Sequence, residues 1–459
     1  MAASSSSASD NFEEGLNEKQ LEAFRAFREG KNICITGQGG TGKSFLIQRI
    51  REYCLAKYRF KTHHSVTAFT GAAAILIKGT TFHKWTSLGL FDKSVDRYFL
   101  DLQSNKSVLN KWMYVRTLII DEISMMPSDI FTKFDQLARK IRARPLTPFG
   151  GIQVVLSGDF CQLAPIGESA SFVFTCDSWK NGAIHTVHLD LNHRQSDPVL
   201  CQVLAETRMG KITEESIKVL KSRVIPDVYS LSPISETSGI LPTILMAKNE
   251  EVDRYNQSKL TALPAPLFTF DAVFKSDLVS RLAKPEIEFL RNNLAVPLSL
   301  PLKVGAQVML RINLNVAKEL ANGSLGVVEK IDPSKKLVHV RFRSAEDELV
   351  PISPHIWTRE VNEVVTAYCV QLPLSLAWAF TIHKSQGQQF DAVAIDMKNL
   401  FAEGQGYTAL SRVKTLEGLF ISNFNPAKIT VSPIAKAFYS SLEAEVDDNS
   451  ATIKRQRLS

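Results

Sequence analysis

Residues 32–44 read NICITGQGGTGKS, and this segment sets the architecture of the first half of the chain. Its first part, Asn32–Thr36, is apolar and rich in β-branched residues, which predicts a short buried strand. Gly37–Ser44 fits the pattern G-x-x-x-x-G-K-[ST], and apolar residues then recur at helical spacing from Lys43 to Tyr53. A strand, a glycine-rich turn and a helix in this order predict a phosphate-binding loop.

The residues of this loop have separate expected roles. Backbone N–H groups are expected to face the phosphates, Lys43 to neutralise their oxygens, and the Ser44 hydroxyl to ligate Mg²⁺. The residues predicted to contact the nucleotide are Gly37, Gln38, Gly39, Gly40, Thr41, Gly42, Lys43 and Ser44.

A second segment supplies an acidic pair for the same site. Thr117–Ile120 predicts an apolar strand that ends at Asp121 and Glu122. Such a pair is more often a solvated loop, but beside a phosphate loop it is typical of ATPases. Asp121 is then expected to hold Mg²⁺, and Glu122 to polarise the attacking water. Upstream, the amide of Gln20 can pair with adenine, although a solvent-facing glutamine is the alternative. We therefore predict ATP and Mg²⁺ as cofactors.

The remaining pattern predicts an α/β protein. A helix is expected over Leu16–Phe27, and further short strands over Ser65–Phe69 and Ile152–Ser157, which together predict a doubly wound parallel sheet. Later, Val327–Ile331 and Leu337–Phe342 flank an Asp-Pro-Ser turn and predict a β-hairpin within a small inserted barrel. An α/β pattern resumes after this insertion.

Composition restricts the class of protein only loosely. The chain has 459 residues, 44% of them hydrophobic, a net charge of +7 and six scattered cysteines, which fits a reduced intracellular protein with several domains. No segment approaches the roughly 20 apolar residues of a membrane span. The Ser-rich start contains acidic residues and no basic residue before Lys19, so we predict no mitochondrial presequence. The C-terminal IKRQRLS is more typical of a solvated tail, with a nuclear signal as the alternative. We predict an intracellular protein and favour the nucleus.

A series of short motifs follows the phosphate loop in a fixed order. They are Thr67–Ala73, Gly79–His83, Phe134–Gln153, Gly158–Leu163, Leu191–Gln195, Asn249–Asn256, Gly305–Met309, Asn322–Gly323, Thr381–Gly387 and Gly404–Arg412. In this order and spacing the chain resembles the Pif-type (petite integration frequency) DNA helicases of superfamily one, which are related to RecD. The resemblance covers roughly residues 16–425.

The resemblance implies a fold of two RecA-like P-loop domains with parallel sheets. The second domain is expected to carry an inserted β-barrel of the Src-homology-three type. The implied division is a disordered tail at 1–12, a first RecA-like domain at 13–190, a second at 191–259 and 363–440, the barrel at 260–362, and a flexible basic tail at 441–459.

It also implies roles for single residues. Arg194 and Arg412, from the second domain, are expected to complete the ATP site, and Gln162 and Gln386 to sense the γ-phosphate. The residues expected to bind nucleic acid are Thr70, His83, Lys84, His383 and Lys384. In the signature segment, Phe134, Leu137 and Ile141 share one helical face, which predicts inward packing with the basic residues left solvated.

The function implied by the resemblance is ATP-driven 5′-to-3′ movement on single-stranded DNA with unwinding of duplex junctions. Replication, repair, recombination and telomere maintenance are the processes it implies. Two alternatives stay open: a translocase that acts on RNA or remodels protein–DNA complexes, and a binding module with an inactive phosphate loop. A monomer is compatible with the sequence.

Overall fold

The structure is a computed structural model that describes residues 12–70, 73–74, 77–89, 91–165, 167, 171–193, 197–232, 239–276, 280–292, 294, 296–315, 320, 322–343, 348–361 and 364–444. Arg194, both predicted tails except Phe12 and residues 441–444, and parts of several loops lie outside these residues. Among the described helices, none has the length and apolar character that a membrane span requires.

The first half of the chain forms a six-stranded parallel sheet. Its strands are β1 (Asn32–Gly37), β2 (His64–Ala68), β3 (Thr80–Thr81), β4 (Thr117–Asp121), β5 (Gln153–Gly158) and β6 (Ile184–Leu189). They lie in the order β3-β2-β4-β5-β1-β6, and every neighbouring pair is parallel. β1, β4 and β5 are buried along almost their whole length, as strands covered on both faces are. Their carboxyl ends therefore meet at one edge of the sheet.

Helices alternate with the strands along the described chain. Their bounds are Glu18–Arg28, Lys43–Lys57, Phe82–Thr86, Val95–Gln103, Lys106–Tyr114, Ser128–Ile141, Asp177–Lys180, Pro198–Met209, Glu214–Ser222, Asn249–Ala262, Ser280–Asn292, Ile382–Ser385, Gln405–Leu410 and 433–444. Phe24 and Phe27 of the first helix and Ile50 of the second are buried in the same core as Val155 of β5. The predicted strand-turn-helix segment at residues 32–53 is thus confirmed, although its helix continues to Lys57.

The second half contains a second parallel sheet that is interrupted by antiparallel ones. Its strands are β7 (Thr243–Met246), β8 (Phe268–Asp271), β9 (Val273–Lys275), β10 (Ser299–Leu302), β11 (Gln307–Leu310), β12 (Leu325–Asp332), β13 (Leu337–Phe342), β14 (Leu349–Ile352), β15 (His355–Val361), β16 (Val364–Gln371), β17 (Leu374–Leu376), β18 (Ala379–Thr381), β19 (Val393–Asp396) and β20 (Leu419–Ser422). The parallel sheet has the order β18-β7-β19-β20.

Three antiparallel sheets occupy the chain between β7 and β18. The largest has the order β14-β13-β12-β11-β17, and the others are β15-β16-β9 and β10-β8. The predicted hairpin is confirmed, because β12 pairs with β13 around a turn in which Asp332 accepts hydrogen bonds from the N–H groups of Ser334 (3.1 Å) and Lys335 (3.2 Å). The predicted fold class, two parallel-sheet α/β domains with an antiparallel insertion in the second, is confirmed.

The described chain packs as two compact units. The first contains the residues up to Val219, Phe401–Ser411 and those from Pro426 onward; the second contains Leu220–Leu400 and Arg412–Asn425. We predicted residues 191–259 and 363–440 in the second domain, whereas the described residues of 191–219, 401–411 and 426–440 pack with the first unit. The physical reason is side-chain burial, described below, of residues from these segments beside β1 and β5. The domain boundaries themselves stay a prediction.

Candidate functional site

The phosphate loop joins β1 to the helix Lys43–Lys57. Gly42 adopts a left-handed conformation (φ +84°), which other residues adopt only with strain, and a Cβ at this position would also lie 2.4 Å from the Gln20 amide nitrogen and displace it. The Lys43 ammonium donates to the backbone oxygens of Gly37 (2.7 Å) and Gln38 (2.9 Å). The lysine charge is thereby held over the mouth of the loop, where phosphate oxygens would bind.

Gln20 lies beside this loop and has a structural role of its own. Its side-chain oxygen accepts the Asn17 N–H (3.1 Å) while Asn17 caps the Gln20 N–H (2.9 Å), which is a reciprocal cap at the start of the first helix. Its amide nitrogen lies 3.5 Å from the Thr41 oxygen, and the side chain is 2% exposed. Adenine recognition by Gln20 stays a prediction, and it would require these hydrogen bonds to be exchanged.

The acidic pair stands at the carboxyl end of β4. Burial raises the pKa of the Asp121 carboxyl, and the nearby Lys43 charge opposes this shift. Glu122 adopts a left-handed backbone (φ 54°, ψ 43°), a conformation that is uncommon outside glycine and that concentrates at functional sites. Mg²⁺ uses one or two protein ligands plus phosphate and water, so the buried Asp121 carboxylate and the Ser44 hydroxyl of the phosphate loop are of the right chemical type to hold it. Within the described residues, no cluster of three acidic, His or Cys side chains forms a separate metal site.

A third carboxylate, Asp159, follows β5 and is 1% exposed. Burial disfavours its ionisation, but the charges of Arg208 and Lys43 and its hydrogen bonds hold the pKa of Asp159 below the ordinary value. Gln162, a predicted γ-phosphate sensor three residues later, is 6% exposed. A Cβ at Gly404 would lie 2.1 Å from the Gln162 backbone oxygen, so the turn from Asp159 to Gln162 packs directly against the start of the Gly404–Arg412 motif.

Several partners of Asp159 were not among the predicted residues. The carboxylate contacts Arg208, Tyr407 and Tyr439, which follow Asp159 in the sequence by 49, 248 and 280 residues, respectively. No local pattern marks them. The only available sequence signal is the place of Tyr407 inside the Gly404–Arg412 motif.

In the second unit, the structure brings together the segments that carry Arg412 and Gln386. Arg412 is 2% exposed, and its guanidinium donates to the backbone oxygens of Ser385 (3.4 Å) and Gln388 (3.3 Å), the residues that flank Gln386 closely. Gln386 is itself 1% exposed. The roles of both residues in hydrolysis stay predictions.

The predicted nucleic-acid residues fall into two segments of the same local design. Thr81 and Thr381 each end a parallel strand, and each side chain caps the N–H three residues later, that of Lys84 or Lys384, at 3.2 Å in both cases. Each short helix presents a half-buried histidine and an exposed lysine. Burial lowers the pKa of both His83 and His383, so these rings are neutral near pH 7.

The first of these segments is linked to the acidic pair. The His83 ring lies 4.9 Å from the Phe69 ring, and the Phe69 N–H donates to the Asp121 backbone oxygen at 3.0 Å. Thr70 accepts the Ala73 N–H at 3.2 Å. A movement of Asp121 would therefore reach the predicted nucleic-acid residues through one backbone hydrogen bond.

The signature segment forms the helix Ser128–Ile141, and the predicted inward packing is confirmed because Phe134, Leu137 and Ile141 are buried. The expectation that the basic residues are solvated is wrong for Arg142. Its guanidinium donates to the backbone oxygens of Trp112, Met113, Val115 and Gly150. Because these hydrogen bonds hold the Arg142 guanidinium against the backbone, we assign this arginine a structural role and not a nucleic-acid contact.

Comparison with known proteins agrees with this geometry. A family model described as PIF1-like helicase matches residues 15–214, a model of the DNA helicase Pif1 2B domain matches residues 288–331, and one of the UvrD-like helicase C-terminal domain matches residues 376–416. The chain is 36% identical over 435 residues to the ATP-dependent DNA helicase PIF1 of Danio rerio, a match that covers 94% of this chain and 64% of that relative. It thus spans just under two thirds of the length of such curated relatives.

Two solved structures match along nearly their whole length. The crystal structure of the Pif1 helicase from Candida albicans is 33% identical with a TM-score of 0.78, and the match covers 93% of this chain and 99% of that one. A Pif1 helicase from Bacteroides, in complex with ADP-AlF3 and ssDNA, is 26% identical with a TM-score of 0.66 and covers 94% and 97%. The resemblance drawn from the motifs is confirmed, and the chain belongs to the family of PIF1-like helicases.

Proposed function

We propose that this chain is an ATP-dependent DNA helicase that moves 5′ to 3′ on single-stranded DNA and unwinds duplex at junctions. The observation that carries the proposal is the placement of Lys43 and Asp121 at one edge of a single parallel sheet, in a chain of this family. The Bacteroides relative binds ADP-AlF3 and ssDNA, which supports ATP and single-stranded DNA as the ligands here.

We assign each step of ATP hydrolysis to particular residues. The loop N–H groups and Lys43 bind the phosphates, while Ser44 and Asp121 would hold Mg²⁺, which supplies charge neutralisation. Glu122 orients the attacking water. Gln162, Gln386, Arg194 and Arg412 are proposed to sense or stabilise the transferred phosphoryl group, and Gln20 to read adenine.

The two Thr-x-His-Lys segments are proposed as two grips on the DNA backbone. Threonine hydroxyls, helix N–H groups and lysines bind phosphates without reading bases, and neutral histidines can stack on sugar or base. Because one grip belongs to each parallel-sheet domain, alternating changes in their affinity for DNA would convert ATP turnover into stepping.

If the two Thr-x-His-Lys segments bind DNA in the same way, their lysines should contribute equally to the salt dependence of DNA binding. Lys84→Ala and Lys384→Ala should each make the plot of log affinity for single-stranded DNA against log salt concentration less steep by about 0.7, because each removes one phosphate contact. Lys335→Ala, at the exposed tip of the β12–β13 hairpin, is the control and should leave the slope unchanged. Fluorescence anisotropy over a salt series measures this. Unchanged slopes for both variants would remove these lysines from the DNA contact.

The test of the proposed function is ATP hydrolysis measured with no nucleic acid, with single-stranded DNA and with RNA of the same sequence. A DNA helicase is stimulated strongly by DNA and weakly by RNA. Equal or greater stimulation by RNA would favour the alternative, an RNA translocase, since phosphate contacts do not distinguish the two sugars. Absence of turnover under all three conditions would refute the proposal.

We also propose that the protein acts in the nucleus, on the basis of the basic sequence at Lys454–Arg457. The full chain fused to a fluorescent protein tests this. Exclusion of the fusion from the nucleus would contradict the proposal.

A further inference from the structure

The Asp159 carboxylate is the centre of a buried polar network in the first unit. Arg208 approaches both carboxylate oxygens (3.1 and 3.3 Å from Nε), the Tyr407 hydroxyl donates at 2.9 Å, and the Tyr439 hydroxyl donates at 3.2 Å. Arg208 is 5% exposed, and both tyrosines are 1% exposed or less. A buried ion pair of this kind is stable only when the other hydrogen-bonding groups of its members are satisfied, and the two tyrosine hydroxyls supply these hydrogen bonds to Asp159.

The hydroxyl of Tyr439 uses all of its hydrogen-bonding capacity. It lies 2.5 Å from the Thr36 hydroxyl, 3.1 Å from the Phe160 nitrogen and 3.2 Å from Asp159. The Phe160 N–H can only donate and the carboxylate can only accept, so the Thr36 hydroxyl must donate for all three bonds to exist together. One oxygen thus connects the end of β1, immediately before the phosphate loop, to the turn after β5.

The Tyr407 hydroxyl makes a parallel connection. It donates to Asp159 and lies 3.4 Å from the Gly39 nitrogen, whose N–H points to it. Gly39 belongs to the phosphate loop, so Asp159 is linked to that loop through the Tyr407 hydroxyl and to the end of β1 through the Tyr439 hydroxyl.

The Asp159 turn in turn carries Gln162. Asp159 accepts the Cys161 N–H at 3.2 Å with its carboxylate, and its backbone oxygen accepts the Gln162 N–H at 3.0 Å. The position of Gln162 therefore depends on how firmly Asp159 is held against β1.

Tyr439 reaches this network from the helical residues 433–444, the last that the structure describes. The ring is fixed independently of its hydroxyl. The Arg208 guanidinium lies 4.1 Å from the ring centroid, and the His188 ring lies 5.3 Å away. Next to it, the Phe438 ring stacks on Phe174 with centroids 4.3 Å apart. Loss of the hydroxyl alone should leave this packing in place.

We propose that Tyr439 is a positioning residue for ATP hydrolysis, whose hydroxyl locks the Asp159–Gln162 turn to the end of β1 and so sets Gln162 for the γ-phosphate. The C-terminal helical segment then contributes a residue that positions the catalytic groups of the first motor domain. This inference rests on the proposed function, because it assumes that the loop binds and hydrolyses ATP.

The test compares kcat and KM for ATP in DNA-stimulated hydrolysis by the full chain. Tyr439→Phe should lower kcat about tenfold and change KM for ATP less than about twofold, because the phosphate loop itself is untouched. The melting temperature and the affinity for single-stranded DNA are measured alongside. Tyr98→Phe is the matched control. The Tyr98 side chain is 2% exposed, and its hydroxyl donates to Asp92 (3.0 Å) and accepts the Lys93 N–H (3.0 Å). This variant therefore loses an equivalent buried hydroxyl that has no link to Asp159.

A second variant, Tyr407→Phe, removes the other hydroxyl from Asp159. The fold-reduction in kcat for the double variant should be smaller than the product of the fold-reductions for the two single variants, since both hydroxyls act through one carboxylate. A kcat of Tyr439→Phe within about twofold of the original chain, or a loss equal to that of Tyr98→Phe, would overturn the inference. Absence of turnover in the original chain would instead refute the proposed function and this inference with it.

Discussion

Lys43→Ala should reduce ATP turnover by roughly a hundred- to a thousand-fold, because the loop loses the cation that offsets phosphate charge as the transition state forms. The variant also loses the two hydrogen bonds from Lys43 to the backbone oxygens of Gly37 (2.7 Å) and Gln38 (2.9 Å), while the glycines that give the loop its positive φ angles are unchanged. Steady-state hydrolysis with saturating single-stranded DNA measures the loss.

The same variant separates catalysis from DNA binding. Affinity for single-stranded DNA without nucleotide should stay within about twofold, since the proposed DNA residues do not include Lys43. Lys57→Ala, at the exposed end of the same helix, is the control for the charge change and should retain full turnover. Normal ATP hydrolysis by Lys43→Ala would mean that the nucleotide site has been assigned to the wrong loop.

Arg412→Ala should lower kcat by roughly three to five orders of magnitude, the range seen when a guanidinium that stabilises phosphoryl transfer is removed. Arg412→Lys should recover little of this, because an ammonium keeps the charge but loses the planar fork that binds two oxygens. Both variants are compared at saturating ATP and DNA.

Burial of Arg412 requires a folding control for this prediction. The guanidinium donates to the backbone oxygens of Ser385 and Gln388, so its loss also leaves buried carbonyls without that donor. Lys414→Ala, two residues later, removes an exposed cation that pairs with Asp391 at 2.8 Å and should change kcat less than about twofold. If Arg412→Ala folds, binds DNA and hydrolyses ATP like Lys414→Ala, Arg412 is only a structural residue.

Local sequence patterns were sufficient to predict those features that depend on contiguous residues. The strand-turn-helix at residues 32–53, the position of the acidic pair after β4 and the β12–β13 hairpin were predicted correctly, because β-branched runs, glycine and turn residues act on the neighbouring backbone. The inward face of the signature helix followed from its period alone.

Long-range packing could not be predicted in this way. The partners of Asp159 come from three distant segments, and a tyrosine such as Tyr439 looks like an ordinary aromatic of an amphipathic helix. For the same reason the packing of the described residues of 191–219, 401–411 and 426–440 with the first unit was not predicted. The prediction for Gln20 omitted its cap with Asn17, which competes for the amide, and that for Arg142 omitted the carbonyls that it satisfies.

The measurement that bears most directly on the proposed motor is unwinding of two duplexes that differ only in the end that carries the single-stranded tail. The chain is mixed with each labelled duplex, with and without ATP, and strand release is followed over time. We predict ATP-dependent release from the 5′-tailed duplex and little from the 3′-tailed one. Release confined to the 3′-tailed duplex would contradict the direction of movement, and ATP hydrolysis without release from either would contradict the helicase account.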